Sequence, residues 1–188
     1  MKLPDTPTMS TPAAPANAIT EAVWFNALWF QGLWFCAVLG RDWLLPLAVV
    51  LLAVHLFLVG DKRRELMRFA CVGGLGIAVD AALSGAGIYQ FPGGVLVPVW
   101  LVCLWLGFSA ALARSLVYFS DKLPLAAVAG GLVFPVNYWA GERLGAVEFS
   151  LRLPATLLII AVTWAVMLPL LYRLSAVISA TGSAGGRV

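Results

Sequence analysis

The sequence predicts an all-α, polytopic membrane protein in which six transmembrane helices form one bundle. Hydrophobic residues make up 62% of the chain, charged residues only 11%, and the mean hydropathy is +0.94. Soluble domains, by comparison, average about 25% charged residues. The charges also lie between apolar runs, where they act as topology signals, and they form no basic face that would bind nucleic acid.

Six apolar runs come close to the length of about 20 residues that a helix needs to cross a bilayer. The predicted spans are residues 22–40, 43–59, 66–87, 96–118, 124–142 and 153–176. The pair Arg41-Asp42 predicts a tight turn, residues 61–65 a solvated charge run, and residues 90–94 an uncharged turn. Pro124 and Pro154 suit the first turns of the last two helices.

The two ends of the chain differ from the bundle in composition. Residues 1–20 are rich in Pro, Thr and Ala and predict a disordered N-terminal tail. The apolar run that follows is too long for a cleavable signal, and Arg41-Asp42 comes after it where a small-residue cleavage site would stand. We therefore expect a transmembrane domain over residues 21–178 and a disordered, Gly-rich C-terminal tail over residues 179–188.

An even number of spans places both termini on the same side of the membrane. The basic residues predicted on that side are Lys2, Lys62, Arg63, Arg64, Arg68, Arg114, Lys122, Arg173 and Arg187, against Arg41, Arg143 and Arg152 on the other. Basic residues favour the cytoplasmic side. Both termini are therefore predicted to be cytoplasmic.

Asp80 is an acidic residue within an apolar run that otherwise resembles a plain membrane helix. A carboxylate at such a depth costs about 3 kcal/mol on insertion scales unless it is paired, protonated or facing water. Span five offers partners at the same outer depth, because Asn137 and Tyr138 follow Pro135, which is expected to kink that helix. Either Asp80 belongs to a polar pocket open to the outer side, or it is a structural tie to Asn137 or Tyr138.

The pocket hypothesis adds three residues near the outer surface. Arg143 is a candidate partner for Asp80, and Glu142 lies beside it, although a plain surface ion pair between the two is the alternative. Trp100, at the start of span four, completes the candidate binding residues. No catalytic residues are predicted.

A second polar cluster is predicted nearer the cytoplasmic side. Asn26 and Gln31 are amides within span one, which usually seek partners on other helices, and His55 lies near the inner end of span two. Asn26 and His55 are predicted at the same depth and could meet. His55 should lie about 10 Å or more from Asp80 along the membrane normal, which excludes a direct relay between them.

The sequence predicts no metal site and no cofactor. His55 is the single histidine of the chain, and the cysteines have no paired spacing. They lie in three separate apolar runs, at Cys36, Cys71 and Cys103.

Two further patterns concern how the helices pack. Span three is rich in Gly and Ala, which predicts that it is the most buried helix and lies centrally together with span five. Trp24 and Trp29 in span one have the same spacing as Trp100 and Trp105 in span four. This similarity raises the hypothesis of two inverted three-helix halves.

The order of several motifs resembles an uncharacterised family of small bacterial inner-membrane proteins, known as a domain of unknown function. The residues that carry this resemblance are Asn26 and Trp34, Asp80, Pro98-Val99-Trp100 with Trp105 and Phe108, and Pro135, Tyr138 and Gly141 with Leu144-Gly145-Ala146. The resemblance covers residues 22–176. It implies a bacterial inner membrane and, from the genomic setting of relatives, an association with lipid-modifying membrane enzymes.

Three functions are compatible with these observations. The first is a non-enzymatic membrane module that binds a lipid-like molecule or supports a lipid-modifying system, since the bundle is aromatic and poor in charge. The second is a small transporter in which Asp80 carries a proton or cation. The third is an intramembrane enzyme in which Asp80 acts as an acid or base with Tyr138 or Glu142.

Overall fold

The computed structural model describes residues 22–184, which form a bundle of apolar helices as predicted. The helices are α1 Val23–Gly40, α2 Leu45–Leu58, α3 Lys62–Gly85, α4 Val99–Leu112, α5 Leu123–Arg143 and α6 Leu153–Ala184. Two short strands, β1 Tyr89–Gln90 and β2 Glu148–Phe149, are the main addition to the predicted fold class. The predicted tail at residues 1–20 lies outside the described residues. Helix α6 continues past its predicted end at residue 176 and into the predicted C-terminal tail.

Four of these helices, α1, α3, α5 and α6, are long and apolar enough to cross a membrane. Helices α2 and α4 are apolar but have only 14 residues each, which is short of the roughly 20 needed for a full crossing. The lengths and compositions of these helices indicate a membrane protein.

The helix starts follow local sequence chemistry. Proline occupies the first turn of α2, α5 and α6, where its missing N–H would have had no partner in any case. Asp61 caps the start of α3, and its carboxylate accepts a hydrogen bond from the backbone N–H of Arg64 at 3.0 Å. The predicted roles of Pro124 and Pro154 are therefore confirmed.

Successive helices run in opposite directions between two ends of the bundle. At one end Arg41, after α1, donates to the carbonyl of Gly145, after α5, at 2.6 Å. At the same end β1 pairs antiparallel with β2, so the turn after α3 is joined to the turn after α5. At the opposite end Glu65, in the first turns of α3, meets Arg114, just beyond α4. We refer to these as the β-strand end and the Glu65 end.

The most buried helix is α4, and the prediction that span three would be the most buried was wrong. Nine of the 14 residues of α4 are buried, whereas only 28% of the most apolar stretch of α3 and 17% of that of α5 are buried. Helix α4 packs against α1, α2 and α3, while α5 packs mainly along α6. Small residues bring α3 close to α4 but leave much of the surface of α3 exposed.

The environments of the tryptophans give no support to the hypothesis of two inverted halves. Trp24 is 64% exposed, whereas Trp100, its proposed counterpart, is 5% exposed. Trp29 donates its indole N–H to the carbonyl of Leu51 at 3.1 Å. Trp105, its proposed counterpart, donates instead to Asp80. The two pairs therefore share a spacing but not a structural role.

Candidate functional site

Asp80 is completely buried, and both of its carboxylate oxygens accept hydrogen bonds. Its Oδ2 accepts from the indole Nε1 of Trp105 at 2.7 Å. Its Oδ1 accepts from the hydroxyl of Tyr89 at 2.8 Å and from the hydroxyl of Tyr138. The carboxylate therefore joins α3, α4, α5 and the turn that carries β1. We call these four residues the Asp80 cluster.

Local backbone features place the donors around Asp80. Gly76 lies one helical turn before Asp80, and a Cβ at this position would be only 2.3 Å from the indole ring of Trp105. The ring can lie against α3 because Gly76 has no side chain. The pairing of Tyr89 with Phe149 holds Tyr89 over the end of the bundle. Burial raises the pKa of Tyr89, and the nearby Asp80 raises it further, so the hydroxyl stays protonated and donates.

Tyr138 is a partner of Asp80, but the structure does not bring Asn137 or Arg143 to the carboxylate. The amide of Asn137 donates to the carbonyl of Val133 on its own helix at 2.9 Å. The guanidinium of Arg143 lies 5.7 Å from the centre of the Trp139 ring. These two predicted contacts are wrong, because the Asn137 amide bonds within its own helix and the Arg143 guanidinium lies against Trp139. The alternative ion pair of Arg143 with Glu142 is also absent among the described residues.

An elongated cavity of about 540 Å³ lies beside the Asp80 cluster. Its floor is α4, and its walls come from α1 and α5. Much of its lining is aromatic and includes Phe30, Trp34, Trp100, Trp105, Phe108 and Phe134. Pockets that bind small organic molecules measure about 300–1,000 Å³ and have a mainly apolar lining with a few polar groups, as here. We call this cavity the aromatic cleft.

The cleft extends along the bundle and opens sideways. Ser115 and Leu116 line it towards the Glu65 end, and Ala146 and Val147 line it towards the β-strand end. Gln31 on α1 and Asn137 on α5 both line the cleft while remaining exposed. An exposed face of an apolar bundle is the face that lipid would meet, so the cleft is accessible from the side of the bundle.

Two predicted site residues that do not bond to Asp80, Trp100 and Asn137, thus lie in the cleft. Trp100 is buried and makes an edge-on contact with Phe91, with ring centroids 5.9 Å apart. Glu142 and Arg143 instead border a smaller pocket near the β-strand end, together with Trp139 and Phe149.

The charge run at residues 61–65, predicted to be solvated, contributes a completely buried residue. Glu65 is 0% exposed and accepts from both terminal nitrogens of Arg114, at 2.9 and 3.1 Å. It also accepts from Arg68 at 3.1 Å and contacts Nε2 of His55 at 2.7 Å. The solvated prediction was therefore wrong for Glu65, which anchors a second group that we call the Glu65 cluster.

The predicted second polar cluster is divided in the structure. Oδ1 of Asn26 accepts from the hydroxyl of Ser115 at 2.7 Å and from its backbone N–H at 3.2 Å. His55 instead joins Glu65 and stacks on Trp29, with ring centroids 4.5 Å apart. Gln31 lies in the aromatic cleft. Asn26 does find a partner outside α1, but the partner is Ser115 and not His55.

Sequence reasoning missed four site residues for identifiable reasons. Trp105 and Tyr89 resemble packing aromatics, and Tyr89 follows the predicted end of span three. Glu65 directly follows four other charged residues, and such a charge run predicts solvent exposure for all of its members. Arg114 was the detectable case, because it is a lone charge in a long apolar stretch and such residues usually have a specific partner.

Among residues 22–184, no cluster of three or more His, Cys, Asp or Glu side chains could hold a metal ion. The cysteines have free thiols, with Cys36 and Cys103 buried and Cys71 exposed.

A family model matches residues 23–170, which is most of the chain. The chain belongs to the DUF2878 family. Its members are described as proteins of unknown function. No curated protein and no solved structure matches this DUF2878 protein. The matched region contains both the Asp80 cluster and the aromatic cleft.

Proposed function

We propose that this DUF2878 protein is a non-enzymatic membrane module that binds a lipid-like molecule in the aromatic cleft. The observation that carries the proposal is the cleft itself, a laterally open and mainly apolar groove of about 540 Å³, rich in aromatic side chains, within an apolar bundle. An apolar chain could enter it from the bilayer without crossing water. Binding is favoured over chemistry because both oxygens of Asp80 are already occupied by donors.

The proposal includes six membrane crossings. Helix α4 is bonded to α3 at two levels, through Trp105 to Asp80 and through Arg114 to Glu65. The two acids are 15 positions apart, about 22 Å along a helix at 1.5 Å per residue. Since α3 is long enough to cross, α4 and its flanking turns should occupy the same depth. His55 joins α2 to Glu65 in the same way.

We place both termini in the cytoplasm of a bacterial cell, with the protein in the inner membrane. Arg68 and Arg114 belong to the buried Glu65 cluster and count less as topology signals. The Glu65 end still carries Lys62, Arg63 and Arg64, which favours that end as the cytoplasmic one. The family resemblance also suggests lipid-modifying membrane enzymes as partners.

Cysteine labelling tests this orientation. In a cysteine-free background, Glu148→Cys should react with a membrane-impermeant maleimide in intact cells, while Arg63→Cys should react only after lysis. Both residues are exposed, so a reversed pattern would place the β-strand end in the cytoplasm.

The binding function is tested by identifying lipids that copurify with the protein in mild detergent. Val133 and Leu132 are adjacent, exposed residues of α5, but only Val133 lines the cleft. Val133→Trp should therefore fill the cleft and release the bound molecule, while Leu132→Trp should retain it. If the wild type and both variants carry the same lipids as the bulk membrane, the cleft is not a binding site.

A transporter is the second candidate, because Asp80 borders the cleft and has no basic partner among the described residues. In proteoliposomes, proton or cation flux that is lost in Asp80→Asn would favour transport. Lipid binding without flux would favour the first proposal.

A further inference from the structure

The aromatic cleft has an unusual charge distribution for a lipid site. Among its described lining residues, Asp80 is the one charged side chain, and no Lys, Arg or His is present. Three basic residues close to the ends of the cleft are engaged elsewhere. Arg41 bonds to the carbonyl of Gly145, Arg143 lies over Trp139, and Arg114, next to Ser115, binds Glu65. The cleft therefore offers no cation to neutralise an anionic headgroup.

The neutral polar groups of the cleft suit a different headgroup. Gln31 has an amide with no hydrogen-bond partner among the described residues, so both its N–H and its carbonyl are available. Asn137 uses its N–H₂ on Val133 and leaves its side-chain oxygen able to accept. Both amides lie on the walls of the cleft, where apolar surroundings favour a partner for each. A hydroxyl, which both donates and accepts, matches this pair.

Building on the proposed function, we infer that the cleft selects an amphiphile with an apolar chain and an uncharged hydroxyl headgroup over the same chain with a carboxylate. The chain would lie along the aromatic floor formed by residues such as Trp105 and Phe108. The hydroxyl would bond to Gln31 or Asn137. A carboxylate would meet the Asp80 cluster without a counter-ion in a medium of low dielectric constant, where like charges repel strongly.

The test compares hexadecanol, hexadecanoate and hexadecane as competitors of radiolabelled hexadecanol on delipidated wild-type protein, at a pH where the acid is ionised in the detergent. We expect hexadecanol to bind at least about tenfold more tightly than hexadecanoate. Hexadecane should bind more weakly than hexadecanol because it cannot bond to the amides.

A charge introduced into the cleft should change the preference in a defined direction. Gln31→Lys places a cation on the wall of the cleft and should narrow or reverse the preference for hexadecanol over hexadecanoate. Leu28→Lys is the matched control, because Leu28 is an exposed residue of α1 that does not line the cleft. The control should keep the wild-type preference.

The results of these binding experiments distinguish an error in the inferred headgroup from an error in the proposed lipid-binding function. If hexadecanoate competes as well as hexadecanol, or hexadecane does, the inference about the headgroup is wrong while chain binding stands. If Gln31→Lys and Leu28→Lys shift the preference equally, a charge inside the cleft does not set the preference and the inference is overturned. If none of hexadecanol, hexadecanoate and hexadecane binds to the wild-type protein, the proposed function fails as well.

Discussion

At the residue scale, the Asp80 carboxylate joins four segments of the chain, namely α3, α4, α5 and the turn that carries β1. Its three donors come from α4, α5 and the β1 turn, so a change at Asp80 affects every contact among them. Counting residues along spans three and five was enough to place Tyr138 among the candidate partners of Asp80, together with Asn137 and Arg143, since all of them fall in the same outer layer. Trp105 and Tyr89 could not be found in this way, because an indole or phenol gives no sequence sign of whether its polar atom has a buried partner.

Asp80→Leu should strongly destabilise the bundle, whereas Asp80→Asn should be tolerated. Leucine leaves the Trp105 indole and two tyrosine hydroxyls without an acceptor, which should cost about 3 kcal/mol or more at about 1–3 kcal/mol per unpaired group. Asparagine can turn its oxygen to Trp105 and donate to the tyrosines, whose hydroxyls also accept. Unfolding in mixed detergent micelles would measure the difference. Equal losses in the two variants would show that the negative charge, not the hydrogen bonding, is what the site requires.

Glu65→Gln should destabilise the protein by about 3–5 kcal/mol, because it leaves the buried guanidinium of Arg114 without its carboxylate. Arg63→Gln is a suitable control on the same helix, since Arg63 is exposed, and should change stability by less than about 0.5 kcal/mol. The same unfolding assay applies. A loss no larger than that of the control would mean that the Glu65 cluster contributes little to stability.

At the element scale, helix positions were predictable but their relative burial was not. The apolar runs and the charges between them predicted all six helices, because the hydrophobic effect and backbone hydrogen bonding act on local sequence. The bounds agree well except at the ends of α4 and α6, where α4 stops at Leu112 and α6 continues to Ala184. The small residues of α3 indicated close helix approach, which is correct at Gly76. They did not indicate burial, because the large side chains of α4 fill the space between the helices.

Gly76→Ala and Gly74→Ala test this distinction within one helix. At Gly76 the added methyl would be 2.3 Å from the Trp105 ring and must displace it, with an expected loss of about 1–3 kcal/mol. At Gly74 no atom lies within 4 Å of an added Cβ, so alanine should be neutral or stabilising by up to about 1 kcal/mol. Thermal stability in detergent would rank the two. Similar values would mean that α3 and α4 are not packed as closely as described.

At the scale of the whole molecule, the two clusters and the cleft have separate positions and roles. The Glu65 cluster joins α2, α3 and α4 at one end, the Asp80 cluster joins α3, α4 and α5 nearer the other, and the cleft lies between α1 and α5. Composition was sufficient to predict a membrane bundle. The cleft was not predictable. It results from α1 packing on α4 while α5 packs mainly along α6, and a local sequence pattern does not show which helices pack together.

Photolabelling in reconstituted membranes tests the cleft most directly, using a long-chain alcohol that carries a diazirine within its chain. We expect crosslinks to concentrate on cleft residues of three helices, such as Phe30, Leu104 and Val133. The labelling should fall in Val133→Trp but not in Leu132→Trp. Labelling that is equally dense at exposed residues of α6 outside the cleft, such as Leu158, would show general contact with lipid and would contradict a specific site.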